Sequence, residues 1–255
     1  MRFAVRASYP EEGRFDWAEK VRAAEPVGWV EVAFADPDRF GEIPIDRVAA
    51  PFEDASVRVA AVHMATARVA ERDQFRQVLE KTLDLSTRLG TTRIVAHPNR
   101  GRLSDVRSLL DDEISPLLES RGARLCWETF EGRRRIFAGL GDIVAFCRER
   151  PAFRACYDFS HVSGSHEEVE AQITQNLEWI EHFHLSNRVR AGRIQHLPVF
   201  WNEEAGEFGR DLDLAALLGR LATEGYRGTL TLEYQDQFED RLVPDALRLV
   251  DRFGV

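Results

Sequence analysis

The sequence predicts a (β/α)8 barrel forming one domain over residues 1–255, and three observations predict it. Eight short strand-like runs alternate with helical segments along the chain. The length, 255 residues, suits such a barrel, and no linker-like shift in composition divides it. Four of the later runs each end in a metal-capable residue: Glu128, Asp158, His184 and Glu233. A doubly wound open sheet is the structural alternative, but no GxGxxG follows the first strand, which removes the main support for a dinucleotide fold.

The elements follow in order. Residues 2–8 alternate as a first strand and 16–24 read as a helix. Residues 29–34 form a second strand after the turn residue Gly28. The stretch 36–52 is Pro-rich and supports only a short helix near 45–50. A third strand spans 57–63. In the helix over 72–89, Phe75, Val78, Leu79, Leu83, Leu85 and Leu89 line one face, and Gly90 closes it. The fourth strand, 92–97, stops at Pro98. Ser104 caps a helix running to 120, and Gly122 ends it. Strand five is 124–128, a helix covers 141–150, and strand six is 154–158. Ser165 to Glu168 has capping-box form and opens a helix to about residue 179. Strand seven, 181–185, leads into a long irregular loop to about 209. A helix at 212–224, strand eight at 228–234 and a helix at 244–253 complete the chain.

Successive side chains on a strand point to opposite faces. With Glu128 inward, Cys126 is inward too, and Leu125 and Trp127 face the helices. The same rule pairs Asp158 with Cys156, Glu233 with Thr231, His63 with Ala61 and His97 with Val95. Each strand then carries a polar residue at its C-terminal end with a small residue beneath, as a barrel interior shared by alternate strands requires. Cys126 and Cys156 are therefore packing residues. His182 shares the face of His184 one layer deeper and reads as a hydrogen-bonded core histidine. His166, in the capping box, is expected to face solvent.

Composition narrows the function. The net charge of -9 disfavours a nucleic-acid partner. No apolar run approaches the roughly 18–20 residues of a membrane span. The N-terminus reads as a strand, not an export signal, and the three cysteines form no CxxC pair, so a cytoplasmic protein with reduced thiols is expected. Barrel active sites lie at the C-terminal strand ends, which places Glu31, His63, His97, Glu128, Asp158, His184 and Glu233 on one rim. Taken singly, such an acid is more often a cap or ion-pair partner. So many acids and imidazoles together are costly unless a cation neutralises them. A thiolate-free set of oxygens and nitrogens suits Mn, Mg or Co, and Zn less specifically. Arginines crowd the neighbouring loops at Arg100, Arg102, Arg133 to Arg135, Arg188, Arg190 and Arg193, either as an anion-binding rim or as solvated charge. Phe200 and Trp201 either cover a sugar ring or anchor their loop.

Several motifs carry a family resemblance over nearly the whole chain. They are Trp127-Glu128-Thr129-Phe130, Tyr157-Asp158-Phe159-Ser160-His161, Phe183-His184-Leu185-Ser186-Asn187 and the segment 225–234. The chain resembles the xylose isomerase-like TIM barrels, which include sugar isomerases and epimerases and the endonuclease IV type of AP endonuclease. The epimerase branch implies one divalent metal on Glu128, Asp158, His184 and Glu233. It implies proton transfer by Glu128 and Glu233, and substrate contacts from His161 and Arg190. His63 and His97 read as further substrate contacts, with ligation of a second metal or simple hydrogen bonding at the rim as the alternatives. The endonuclease branch implies that His63 and His97 hold additional zinc, but its AspxHis motif meets Ile194-Gln195-His196, so the Asp is missing.

The expected function is therefore a metal-dependent isomerase or epimerase of a small sugar or related hydroxy-carbonyl compound. One glutamate removes a proton next to a carbonyl, a Lewis acid stabilises the enediolate, and an acid returns the proton. The alternatives are an AP endonuclease-type phosphodiesterase and a barrel that binds a sugar without turnover. The expected partner is a sugar or sugar phosphate, with no membrane; a homo-oligomer is compatible with the sequence.

Overall fold

The computed structural model describes residues 1–10, 16–132, 135–189, 193–201 and 211–254. Its parallel barrel strands are β1 (Arg2–Ser8), β2 (Trp29–Ala33), β3 (Arg58–His63), β4 (Arg93–Ala96), β5 (Arg124–Glu128), β6 (Phe153–Asp158), β7 (Ile180–Leu185) and, after a short hairpin, β10 (Thr229–Leu232). They close in the order β1-β10-β7-β6-β5-β4-β3-β2, with helices in the connections. The predicted (β/α)8 barrel is the fold. Among the described residues, no helix is long and apolar enough to cross a membrane.

The alternation of side chains works as the sequence implies. Ala61, Val95, Cys126 and Cys156 form a small, fully buried cluster separate from the main core. The register of their strands places them one layer below the rim: His63 pairs with Val95, Val95 with Cys126, and Glu128 with Cys156. The large side chains Trp127, Phe153, Tyr157 and Phe183 belong instead to the layer between barrel and helices. Burying one such side chain contributes roughly 1.5–3 kcal/mol. The outer layer therefore carries most of the hydrophobic stabilisation, which leaves the barrel interior free to hold polar groups. All three cysteines are buried free thiols.

The helices follow their local signals with some corrections. α1 (Trp17–Ala23) and α4 (Arg72–Arg88) occupy their expected places, and Gly90 beyond α4 adopts φ +70°, the left-handed turn that glycine takes without strain. The stretch expected to hold one short helix holds two, α2 (Pro37–Glu42) and α3 (Ile45–Asp54). Pro37 stands in the first turn of α2, where no donor is needed, and Asp36 Oδ1 accepts from the backbone N–H of Asp38 and Arg39. The helix expected over 104–120 is α5 (Leu103–Leu109) and α6 (Ser115–Ser120) joined by a π-helical turn, Leu110–Ile114. Pro116 has no N–H to give to the preceding turn, so the regular ladder is interrupted there. Ser104 is not the cap; Arg102 holds that position, and the Ser104 hydroxyl donates to Asp105.

α7 (Leu140–Cys147) and α8 (His166–Asn176) both reach β6, through Phe146 on Phe153 and Gln172 on the Tyr157 hydroxyl, and the capping box of Ser165 and Glu168 is formed. His166 is less solvent-facing than expected: its ring is half-buried, and Nδ1 accepts from the N–H of Asp213 at 3.3 Å. The loop after β7, expected to be irregular, begins with an antiparallel hairpin of β8 (Asn187–Val189) and β9 (Ile194–Leu197). It is tied to the end of β10, since Gln235 N–H donates to His196 O and Val199 N–H to the Tyr234 hydroxyl. Phe200 is buried under Arg248, and Trp201 packs edge-on against Phe238, so both anchor this loop.

Candidate metal centre

The C-terminal ends of β5, β6 and β7 and the residue after β10 bring Glu128, Asp158, His184 and Glu233 together, with one ligand atom of each within 4.8 Å of the others. His184 is fully buried at the centre. Its Nε2 faces Glu31 of β2 across the barrel, 3.0 Å from Oε1 and 3.2 Å from Oε2. Its Nδ1 faces Glu233 Oε2 at 2.9 Å, Glu128 Oε1 at 3.6 Å and Asp158 Oδ2 at 3.8 Å. Asp158 is oriented the same way: Oδ1 accepts from Ser160 N–H at 2.6 Å, which turns Oδ2 inward.

These four inward atoms, His184 Nδ1, Glu128 Oε1, Asp158 Oδ2 and Glu233 Oε2, are all buried without a hydrogen-bond partner. The His184–Glu233 approach is close but out of line for a hydrogen bond. Orphaned buried polar atoms are rare because each costs about 1–3 kcal/mol. Three carboxylate oxygens and one imidazole nitrogen aimed at one point fit a divalent cation of the Mn, Mg, Co or Zn type.

Three further groups adjoin this one: Glu31 with His182 and His184 below it, and two that flank it. Glu128 Oε2 lies 3.1 Å from His63 Nε2 and 3.0 Å from His97 Nε2, and those three residues form one flanking group. Asp158, His161 and His196 form the other. His161 Nδ1 is 2.9 Å from Glu128 Oε1, and its Nε2 is 2.9 Å from His196 Nε2. His196 carries φ +54°, a left-handed conformation uncommon for a residue with a Cβ. Below them His182 is a buried, hydrogen-bonded histidine, with Nε2 bonded to Glu31 at 2.7 Å and Thr231 at 2.9 Å, but its Nδ1 is buried without a hydrogen bond, so it is only half satisfied.

The electrostatics follow from this crowding. Burial opposes the charge on Glu128, but His97, His184 and His161 outweigh it and hold its pKa well below the usual carboxylate range. Burial likewise opposes Glu233, and Arg6 and His184 prevail, with Arg6 in direct ion pairing from β1. Asp158 goes the other way: burial raises its pKa, and Glu128 and Glu233 add to that against His161 and His196. Burial and Arg6 push His63 down to about 4, so it is a neutral imidazole. For His161, burial is outweighed by Asp158 and Glu128, which carry it up to about 9.

The structure thus brings together Glu128, Asp158, His184, Glu233, His161, His63 and His97; Arg190 lies outside the described residues. Sequence reasoning missed Arg6, although a charge at the middle of an apolar first strand, on the face of Ala4, was a readable signal. It also left open the partner of Glu31, which lies on β7, not on a neighbouring strand.

The xylose isomerase-like TIM barrel model matches residues 19–253. The chain belongs to that family. No curated protein matches it by sequence. Among solved structures it is similar to 3-keto-D-glucoside 4-epimerase from E. coli, with TM-score 0.70 and 15% identity over 99% of both chains. It is similar to D-allulose 3-epimerase from Methylomonas sp. in complex with D-allulose, with TM-score 0.70 and 14% identity over 99% of this chain and 97% of that one. Endonuclease IV from Thermus thermophilus gives TM-score 0.69 and 16% identity, covering 99% of this chain and all of the other. Identities this low carry the fold alone. Family membership fits an enzyme with a metal-capable rim without selecting one reaction.

Proposed function

We propose that this xylose isomerase-like barrel is a divalent-metal-dependent isomerase or epimerase of a small sugar or related hydroxy-carbonyl compound. The observation that carries the reading is the placement of two buried carboxylate oxygens without a hydrogen bond, Glu128 Oε1 and Glu233 Oε2, around His184 Nδ1 at 3.6 and 2.9 Å. Glu128, Asp158, His184 and Glu233 would hold a divalent cation, which would supply a Lewis acid to polarise a carbonyl and acidify the carbon next to it. The two glutamates do the proton work. Both are held ionised, and Glu233, 13% exposed, is the one that substrate reaches from the mouth. It takes the proton from carbon at its carboxylate and, then a carboxylic acid, returns it to the neighbouring carbon; for epimerisation Glu128 delivers to the opposite face a proton received from His161, whose Nδ1 lies 2.9 Å from Glu128 Oε1. His161, 6% exposed, and His97, 25% exposed, are positioned to hold substrate oxygens, with His63 behind them.

The test is solvent deuterium incorporation into a panel of ketoses and sugar phosphates with added Mn. The wild type is expected to exchange at least one of them. Glu233→Gln should lower the rate by at least about a hundredfold while retaining the fold and substrate binding. Unchanged exchange in that variant defeats the proton-transfer role, and binding without exchange by the wild type points to a non-catalytic barrel.

A second reading rests on the two flanking groups. Glu128 touching both His63 and His97, and Asp158 with His161 and His196, can accommodate more than one ion, as a metal-dependent phosphodiesterase of the AP endonuclease kind requires. Incision of an abasic-site duplex by the zinc-loaded protein, without sugar exchange, would favour it.

A further inference from the structure

Arg135 follows β5 and sits over the mouth. Its guanidinium carbon is 3.8 Å from the centre of the Phe130 ring, and that ring is 3.9 Å from the His161 ring, whose Nδ1 reaches Glu128. The stack runs from solvent to the candidate metal centre. Arg135 also pairs through its backbone with Arg100, in the loop after β4, so the two rim loops carry adjacent cationic residues. Neither forms an ion pair with a described carboxylate. Other arginines do: Arg6 with Glu233, Arg93 and Arg124 with Glu181, and Arg150 with Asp111. Arg2 and Arg58, over the Trp29 ring at the opposite end of the barrel, also lack one, so what sets Arg135 and Arg100 apart is their place beside the candidate centre. The Arg135 pKa is lowered by burial and then by Arg100, while Glu128 acts in the opposite direction. The repulsion between the two guanidinium groups would be relieved by an anion shared between them.

We propose that Arg135 and Arg100 form an anion-binding site at the barrel mouth that takes a phosphate or carboxylate carried by the substrate. The proposal rests on the reading of the metal centre as a site for a small hydroxy-carbonyl compound, and it specifies that compound as anionic. The substrate would run past the edge of Phe130, with the reacting end on His161 and Glu233 and the charged end on the two arginines.

Erythritol, erythritol 4-phosphate and erythronate test this by calorimetric titration of the manganese-loaded protein. None has a carbonyl to enolise, so binding is read independently of turnover, and a failed exchange assay does not alter the result. At least one anion is expected to bind about tenfold or more tighter than erythritol. The better of the two distinguishes phosphate from carboxylate. Arg135→Gln should remove the preference and Arg100→Gln reduce it. Arg121→Gln, where the native residue pairs with Asp84 on the helical shell, should leave it intact. Equal binding of all three compounds to the wild type overturns the proposal. So does a preference that survives in both Arg135→Gln and Arg100→Gln, which would assign the anion to the cation.

Discussion

At the scale of the residue, the orientation of His184 decides what the site can hold. An imidazole offers one nitrogen to a metal only if the other is occupied, and Glu31 occupies Nε2 from the opposite wall of the barrel. Glu31→Gln keeps the shape and loses the charge, so it is expected to weaken metal binding about 10–100-fold with the fold intact, measured by Mn titration. An unchanged affinity would make Glu31 only a core residue. The sequence contained half of this. Strand alternation put Glu31, His182 and His184 on inner faces, because alternation is a local property. Their mutual contacts depend on which strands stand opposite once the ring closes, and no local pattern contains that. Arg6 illustrates the same limit: its inward direction was readable, but its pairing with Glu233 needed the parallel register of β1 with β10.

At the scale of the element, strands were legible to within a residue or two because each is a short apolar run punctuated by turn residues. The departures have local causes. Pro37 is a helix-start residue that reads as a breaker in a Pro-rich stretch. Pro116 leaves a π turn inside what the hydrophobic spacing presents as one helix. The β8–β9 hairpin escaped notice because its strands are too short to alternate, and its position is fixed by bonds to Tyr234 and Gln235. That hairpin delivers His196 to His161, so a candidate site group depends on an element the sequence leaves unmarked. The capping box of α8 was legible, since its two residues are three apart. Ser165→Ala is expected to destabilise the protein by about 1 kcal/mol in chemical denaturation while leaving metal affinity unchanged. A loss of metal binding would mean that α8 also positions the loop carrying His161.

At the scale of the whole molecule, the barrel divides its tasks by radius. Large side chains between strands and helices stabilise it, small ones fill the interior, and the ionisable groups collect above them at one end. The four-residue centre was legible as residue types and strand positions; its four orphaned atoms were not. The most direct measurement is calorimetric titration of the metal-free protein with Mn2+, repeated with His184→Ala and across pH. The wild type should bind one ion tightly, and His184→Ala none. His184 is carried well above its ordinary pKa, because Cys156, Glu31, Glu233 and Glu128 outweigh burial, and it must give up a proton to ligate. Affinity should therefore keep rising with pH beyond the ordinary imidazole range, since the proton lost on ligation is held more tightly than usual. Two or three tight ions, or undiminished binding by His184→Ala, would contradict the single-metal centre.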